Sequence, residues 1–309
     1  MILITGSTGY IGSHLSQFLL KKKIPYIGID NLSYSYKTNV SNVKKHNFFC
    51  ISNNKKVKQL IRKYKIHTVI HAAASSYVLE AEKRKKTYFL NNVIKTKNFI
   101  NICKKNKVRR FIFLSSSNVY QEPKKNKILK INDKTLPKNY YGKTKLIVEK
   151  YLKKKKFDSL VILRLFNIIG INNGNFKIFK FKKNNYQRLI FKLNQNNKLN
   201  KTTKINYILK KGKKIFPSRD FVNISDLMHV IIKILKVTSL KQSTKIFNVS
   251  SEVSTPINRI ISKLNKRIKK NYKITYNEIS KKELEFTKGS NKELYEFIKF
   301  VPNKILKIY

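Results

Sequence analysis

Short apolar runs alternate with helical patterns over the first 165 residues, and this alternation restricts the fold more than any other feature of the sequence. The runs are ILIT (2–5), YIGID (26–30), FFCI (48–51), TVIHA (68–72), FIFLSS (111–116) and VILRLF (161–166), with helices expected near 10–22, 54–64, 87–106 and 141–154. Strands that are apolar along their length and separated by helices predict a parallel sheet covered on both faces. After FNIIG (166–170) the pattern loosens into a Lys- and Asn-rich stretch, and helical periodicity returns at ISDLMHVIIKIL and INRIISKLNKRI. The expected architecture is α/β: a Rossmann-type doubly wound parallel sheet over 1–166, with a smaller, interleaved α/β lobe over 167–309.

Composition narrows the partners. At 309 residues, 41% hydrophobic, the chain can bury a full core. No apolar run approaches the roughly 20 residues that span a bilayer. A strand begins at Ile2 with no charged leader, so no signal peptide is expected. Two cysteines, Cys50 and Cys103, are too few for a disulfide scaffold, and a cytoplasmic location with no membrane partner is expected. The formal charge is +54, yet only nine of the 69 basic residues are Arg. Nucleic-acid readers favour Arg forks clustered on one face, whereas here Lys is scattered in runs such as LKKKKF and ILKKGKK. Heavy use of Lys, Asn and Ile, whose codons are A/T-rich, accounts for the excess. The charge reads as a solvated surface that binds polyanions in a salt-sensitive way, with no specific nucleic-acid partner.

The stretch TGSTGYIGSHL follows the first strand and opens the first helix, with Gly6, Gly9 and Gly12 spaced G-x-x-G-x-x-G. Glycines there permit a tight turn and let backbone N–H groups approach a pyrophosphate at the positive end of the helix. Asp30 ends the next strand, where a carboxylate accepts from both hydroxyls of an adenosine ribose and repels a 2′-phosphate. NAD is therefore expected rather than NADP.

YYGKTK sets Tyr141 and Lys145 at i and i+4 on one helix face, and FLSSSNVY places Ser115, Ser116 and Ser117 at a strand end. A tyrosine holds its proton to about pH 10, and a neighbouring ammonium together with a cationic nicotinamide favours the phenolate. Tyr141 is then expected to take a proton from a sugar hydroxyl while hydride leaves the same carbon, with Ser116 expected to hold the hydroxyl.

At this point the sequence resembles the extended short-chain dehydrogenase/reductase family, in its nucleotide-sugar epimerase/dehydratase branch. The stretches that carry the resemblance are TGSTGYIGSHL, IDNLS, VIHAAA, FLSSSNVY, YYGKTK, LRLFNIIG and SRDFVNISDL, in family order from residue 2 to about 228. The resemblance implies Ser116, Tyr141 and Lys145 as catalytic residues. It implies a cofactor pocket of Gly6, Gly9, Tyr10, Ile11, Gly12, Asp30, Asn31, Ala72, Ala73 and Asn92, together with Tyr141 and Lys145. It implies substrate contacts from Ser116, from Asn167 in LFNIIG and from Arg219 in SRDF, the last two on the nucleotide diphosphate. The smaller lobe thereby becomes a substrate-binding lobe. The helices at 87–106 and from Tyr141 resemble the pair that builds the family's homodimer.

Dehydratases of the branch carry an Asp–Glu pair after the serine strand, or at least the Glu; this chain has Ser117 and Asn118 there, so epimerisation is expected. The long approach INYILKKGKKIFPSRDF resembles the UDP-glucose 4-epimerase group, and Phe286 aligns with a position that favours plain hexoses. The alternatives are another nucleotide-sugar epimerase or a reductase (UDP-glucuronate or UDP-N-acetylhexosamine), or a polyanion-binding protein on a degenerate scaffold. Several residues depart from the family pattern: Cys50 replaces an acid beside adenine, Ser76 a lysine, Lys95 a glycine and Asn223 a histidine. The C-terminal Arg-x-Gly-Asp element is missing, leaving Lys281 or Lys282 to contact a diphosphate. His14, His46, His67, His71 and His229 show no metal-ligand spacing, so no metal is expected. His71, Asp220 and Asp226 read as structural, and Glu149 as an i,i+4 partner of Lys145 or its neighbours.

Overall fold

The computed structural model describes residues 1–123, 127–170, 182, 189–210, 212–237, 243–268, 271–278 and 284–304. Seven parallel strands form the central sheet: β1 (Ile2–Thr5), β2 (Tyr26–Asp30), β3 (His46–Phe48), β4 (Thr68–His71), β5 (Arg110–Ser116), β6 (Ser159–Leu165) and, far along the chain, β11 (Ser243–Val249). Their order is β11-β6-β5-β4-β1-β2-β3. The order reverses between β1 and β4, and a crevice opens there at the strands' C-terminal ends.

The two-residue side-chain period of a strand sorts the core into two layers. Ile2, Ile4, Ile112, Leu114, Val161 and Leu163 point to one side, where they pack with α1 (Tyr10–Lys21), α8 (Ile224–Lys236) and α10 (Lys292–Ile298). Leu3, Phe111, Phe113, Leu160 and Ile162 point to the other, against α2 (Asn54–Lys63), α5 (Lys95–Lys105) and α6 (Tyr140–Lys153). Every residue of β1, β2, β4 and β6 is buried, as sheets covered on both faces require.

Beyond β6 the chain builds two small sheets. β7 (Asn167–Ile169), β10 (Ser218–Asn223) and β12 (Ser254–Pro256) form one; β8 (Thr203–Lys210), β9 (Lys213–Ile215) and β13 (Ile274–Glu278) form the other. A separate core of Ile169, Leu193, Ile205, Ile260, Ile261, Leu264 and Tyr272 joins them to α7 (Leu189–Lys198) and α9 (Ile257–Ile268). The lobe is interleaved with the sheet: α8 packs on the main core, and β11 pairs with β6 along its whole length.

Two elements differ from expectation. The third strand was expected at 48–51 but occupies His46–Phe48, pairing with Gly28–Asp30 at the sheet edge. Asn53 donates its N–H to the Cys50 carbonyl (2.9 Å) and its side chain caps α2 by accepting from Lys56 N, so residues 50–53 form a turn rather than strand. The helix expected at 87–106 is a longer run: α3 (Val78–Lys83), then α4 (Lys85–Phe89) continuing through a π-helical turn at Leu90–Ile94 into α5.

Candidate active site

The turn between β1 and α1 sits at the crevice. Gly6 has φ +68°, and a Cβ there would lie 2.8 Å from the Ala73 backbone, so only glycine lets the turn nest against the end of β4. Gly9 donates to the Gly6 carbonyl (3.0 Å) and is the N-cap of α1, which has no acidic residue in its first turn. The helix's positive end is thus left for an anion. Asp30 accepts from Thr8 N (3.1 Å) and Leu32 N (2.7 Å), which ties β2 to the turn. Burial raises the Asp30 carboxyl above its usual range, and the bonds from Leu32 and Thr8 pull it part of the way back.

A cleft of about 580 Å³ runs from this turn along the strand ends. Its wall includes Gly6, Gly9, Tyr10, Ile11, Gly12, Asp30, Asn31, Ala72, Ala73, Tyr141 and Lys145. Eleven residues assigned from sequence therefore meet in one cavity. The glycine cradle, the helix N-terminus and a carboxylate on the second strand fit an NAD molecule, and the cavity has the size of a small-molecule site.

Asn139 positions Tyr141: its side chain caps α6 by accepting from Gly142 N (2.8 Å) and donates to Asn118 Oδ1 (2.8 Å). Gly142 is required because a Cβ there would lie 2.1 Å from the Asn118 carbonyl oxygen. The start of α6 is thereby pressed against the turn Ser117–Val119 that follows β5. Tyr141 is 9% exposed and Lys145 4%. Lys145 Nζ donates to the Leu114 carbonyl at 2.7 Å and lies 5.9 Å from the Tyr141 ring centroid. Burial lowers the Lys145 pKa to about 7, with the Glu149 carboxylate pulling it back up.

Four assigned residues are not among those lining this cleft. Ser116 Oγ accepts from Asn118 N (3.2 Å) and Nδ2 (3.1 Å), capping the turn after β5; its neighbour Ser115 reaches the wall instead. Asn92 braces the wall from behind, accepting from Ser75 N (2.8 Å) and donating to Ser75 O (2.9 Å) and Thr144 Oγ1 (3.2 Å). Asn167 and Arg219 lie on β7 and β10; Asn167 pairs with Phe221, so Asn167, Phe221 and Arg219 share one sheet face. Tyr10 Oη donates to the Gly170 carbonyl at 2.5 Å, tying the cofactor turn to the end of β7.

Phe286 runs beside Arg219: Ser218 N donates to Glu285 O (2.9 Å) and Thr287 N to Ser218 O (3.1 Å). Lys281 and Lys282 lie outside the described residues. Among the other departures, Ser76, Cys50 and Lys95 line the cleft. Burial raises the Cys50 thiol, but hydrogen bonds from Ser52 and the Lys95 ammonium outweigh it and leave the thiol below its ordinary value. Tyr34, Tyr77, Glu80 and Arg84 also line the cleft and were not read from sequence. They come from loop and short-helix segments whose approach to the cleft depends on tertiary packing.

His71 is buried, bonded to Thr5 Oγ1 (2.8 Å) and Thr96 Oγ1 (3.3 Å), and burial lowers its pKa to about 3. Asp220 accepts from Ser251 N (2.6 Å) and Gly289 N (3.1 Å), and Asp226 from Asn303 N (3.0 Å); both knit the lobe together. Glu149 forms its ion pair with Arg164 on β6, at 2.8 Å, because Lys145 is turned toward the strand carbonyl.

Fold and cleft together define an α/β protein of the dinucleotide-binding type, with Tyr141 and Lys145 on the wall of the same cleft as the glycine turn. A family model described as "NAD dependent epimerase/dehydratase family" matches residues 2–250, and the chain belongs to that family. It is 36% identical over 177 residues to a UDP-glucose 4-epimerase of Halalkalibacterium halodurans, covering 56% of this chain and 52% of that one. It is 32% identical over 186 residues to the UDP-glucose 4-epimerase of Drosophila melanogaster, covering 55% and 53%. The chain thus spans about half the length of the curated relatives it matches. Among solved structures, UDP-glucose 4-epimerase from Bifidobacterium longum in complex with NAD⁺ and UDP superposes with a TM-score of 0.88 at 19% identity, covering 99% and 94%. UDP-glucuronic acid 4-epimerase from Bacillus cereus, in complex with UDP-glucuronic acid and NAD, superposes with a TM-score of 0.82 at 24% identity, covering 98% and 94%. Among the described residues no helix is long and apolar enough to cross a membrane.

Proposed function

We propose that this chain is an NAD-dependent nucleotide-sugar 4-epimerase that interconverts UDP-glucose and UDP-galactose. The observation that carries the reading is the meeting of buried Tyr141 and Lys145 with the glycine cradle in one cleft. The turn at Gly6, Gly9 and Gly12, with Tyr10, Ile11, Asp30, Asn31, Ala72 and Ala73, holds the dinucleotide, and Asn92 supports that wall through Ser75. NAD, when bound, takes a hydride from the sugar and returns it.

Tyr141 Oη removes the proton from the 4-hydroxyl as the keto sugar forms, and gives it back after the sugar has turned. The Lys145 ammonium favours the phenolate by Coulomb attraction in a dry site. Ser116 retains an O–H hydrogen while its oxygen accepts from Asn118, and that hydrogen orients the sugar hydroxyl. Arg219 and Asn167, on one sheet face, hold the diphosphate; the planar guanidinium fork suits phosphate oxygens. Ser117 and Asn118 supply no acid, and Asn118 is already engaged with Ser116 and Asn139, which favours epimerisation over dehydration.

On this reading residues 1–166 carry the cofactor and 167–309 the nucleotide sugar, with α8 and β11 lent back to the sheet. Phe286 beside Arg219 favours plain hexoses. The run from α4 to α5 beside α6 leaves Phe89 (36%) and Ile94 (38%) exposed, an apolar seam suited to a homodimer, which sedimentation tests. Both cysteines are free, as in a reducing cytoplasm. The first experiment is to denature the purified protein and identify the released dinucleotide. Stoichiometric NAD is expected; NADP, or no dinucleotide together with tight nucleic-acid binding at physiological salt, would overturn the proposal.

A further inference from the structure

Resting on that reading of Tyr141 and Lys145, we infer that Glu149 is a positioning residue for the pair: a carboxylate locked away from Lys145 yet aimed so that its charge keeps the ammonium in place. Glu149 is 1% exposed and lies one helical turn beyond Lys145 on α6. Arg164 on β6 grips both oxygens, with Nη2 at 2.8 Å from Oε2 and Nε at 3.2 and 3.3 Å from Oε1 and Oε2. Ser115 Oγ donates to Oε1 at 2.5 Å, and Ser115 lines the cleft. With these bonds made, the carboxylate has no freedom to swing onto Lys145. Among the described residues the ion pairs do not include Lys145 with Glu149.

A buried ion pair is weak evidence for stability, because apolar residues of equal volume serve as well or better. This pair has a location that a stability role does not need: one helical turn from a buried ammonium that donates to the Leu114 carbonyl. At short range inside a low-dielectric core, a fixed negative charge acts strongly without contact.

The other groups facing Lys145 and the pair are few. On α6 there is Tyr141. On β4 there is His71, whose pKa of about 3 leaves it neutral. On β6 Arg164 opposes Glu149, and it is held over the Tyr120 ring at 4.7 Å. Tyr120 in turn donates to Asn248 Oδ1 on β11 at 2.6 Å. Burial lowers the Lys145 pKa and the Glu149 charge raises it again, so this carboxylate favours the ammonium form. Without it Lys145 would spend more of its time neutral, and Tyr141 would lose the cation that makes it acidic.

The test is Glu149→Gln, which keeps an acceptor for Arg164 and Ser115 and removes the charge. Phenolate absorbance is followed against pH in the apoprotein, and subtracting the Tyr141→Phe counterpart isolates this ring among the 17 tyrosines. Around pH 7, where Lys145 changes charge, the Gln variant should show about tenfold less Tyr141 phenolate, one unit of upward shift. A purely structural role would lower the unfolding midpoint and leave the titration unmoved, and that result overturns the proposal. If Glu149→Gln does not fold, the double variant Glu149→Gln/Arg164→Met removes the orphaned guanidinium as well. The shift should then persist at smaller size, and a folded double variant with no shift overturns the proposal equally. Wild-type protein that fails to interconvert the two sugars would remove the epimerase reading while leaving this titration result standing.

Discussion

At the scale of single residues, the proposed function needs Tyr141 to transfer the proton and Lys145 to tune it. Replacing Tyr141 with Phe keeps the ring that packs with Ala81 and Tyr88 and removes only the hydroxyl. Turnover should fall by about 10²–10⁴, as for loss of a general acid–base group. Calorimetry should find NAD affinity close to that of wild type. His46 carries a different prediction. Its ring is bonded to Ser7 Oγ at 2.8 Å in the cofactor turn, and burial, with the Lys45 charge, lowers its pKa to about 4. A base depressed in the folded state contributes stability above its unfolded pKa, lost as pH falls through the folded one. Urea titrations of wild type should therefore show stability falling from about pH 6.5 toward 4, and His46→Gln should reduce the slope by about 1.4 kcal/mol per pH unit. An unchanged slope would show that His46 is protonated in the native state.

At the scale of elements, the site depends on contact between the start of α6 and the turn after β5. Gly142→Ala would drive a Cβ into the Asn118 carbonyl, at 2.1 Å. About 1–3 kcal/mol of destabilisation should appear in thermal unfolding, with kcat reduced because Tyr141 moves with its helix. Elements with local signals were legible in the sequence. The glycine turn, the strand that feeds it and the Tyr–Lys helix rest on glycine spacing, apolar runs and i,i+4 geometry within a few residues of one another. Elements set by distant partners were not. The end of β3 is decided by the Asn53 cap rather than by the apolar run 48–51. Ser115 and Ser116 have similar neighbours in sequence, and the division of labour between them comes from Glu149, 34 residues away from Ser115. The partner of Glu149 differs for a similar reason: helix spacing proposes Lys145 or a neighbour, but β6 brings Arg164 to 2.8 Å.

At the scale of the molecule, the sequence pattern identified the parallel sheet because fully buried strands carry uninterrupted apolar runs. It did not place STKIFNV as the seventh strand, since Ser243, Thr244 and Lys245 break that run and pairing with β6 supplies what the pattern lacks. The net charge of +54 makes self-repulsion a property of the whole fold. Raising ionic strength from about 0.01 to 0.15 M shortens the Debye length from about 30 to 8 Å. Tm should rise by a few degrees over that range, and a Tm that falls would mean that attractive pairs dominate instead. The claim on which the rest depends is that this cleft epimerises a nucleotide sugar through Tyr141. The most direct measurement is proton NMR of UDP-glucose incubated with the purified protein and, in parallel, with Tyr141→Phe. Signals of UDP-galactose should grow to equilibrium with wild type and not with the variant. No galactose signal from NAD-loaded wild type, or equal conversion by both, would contradict the account.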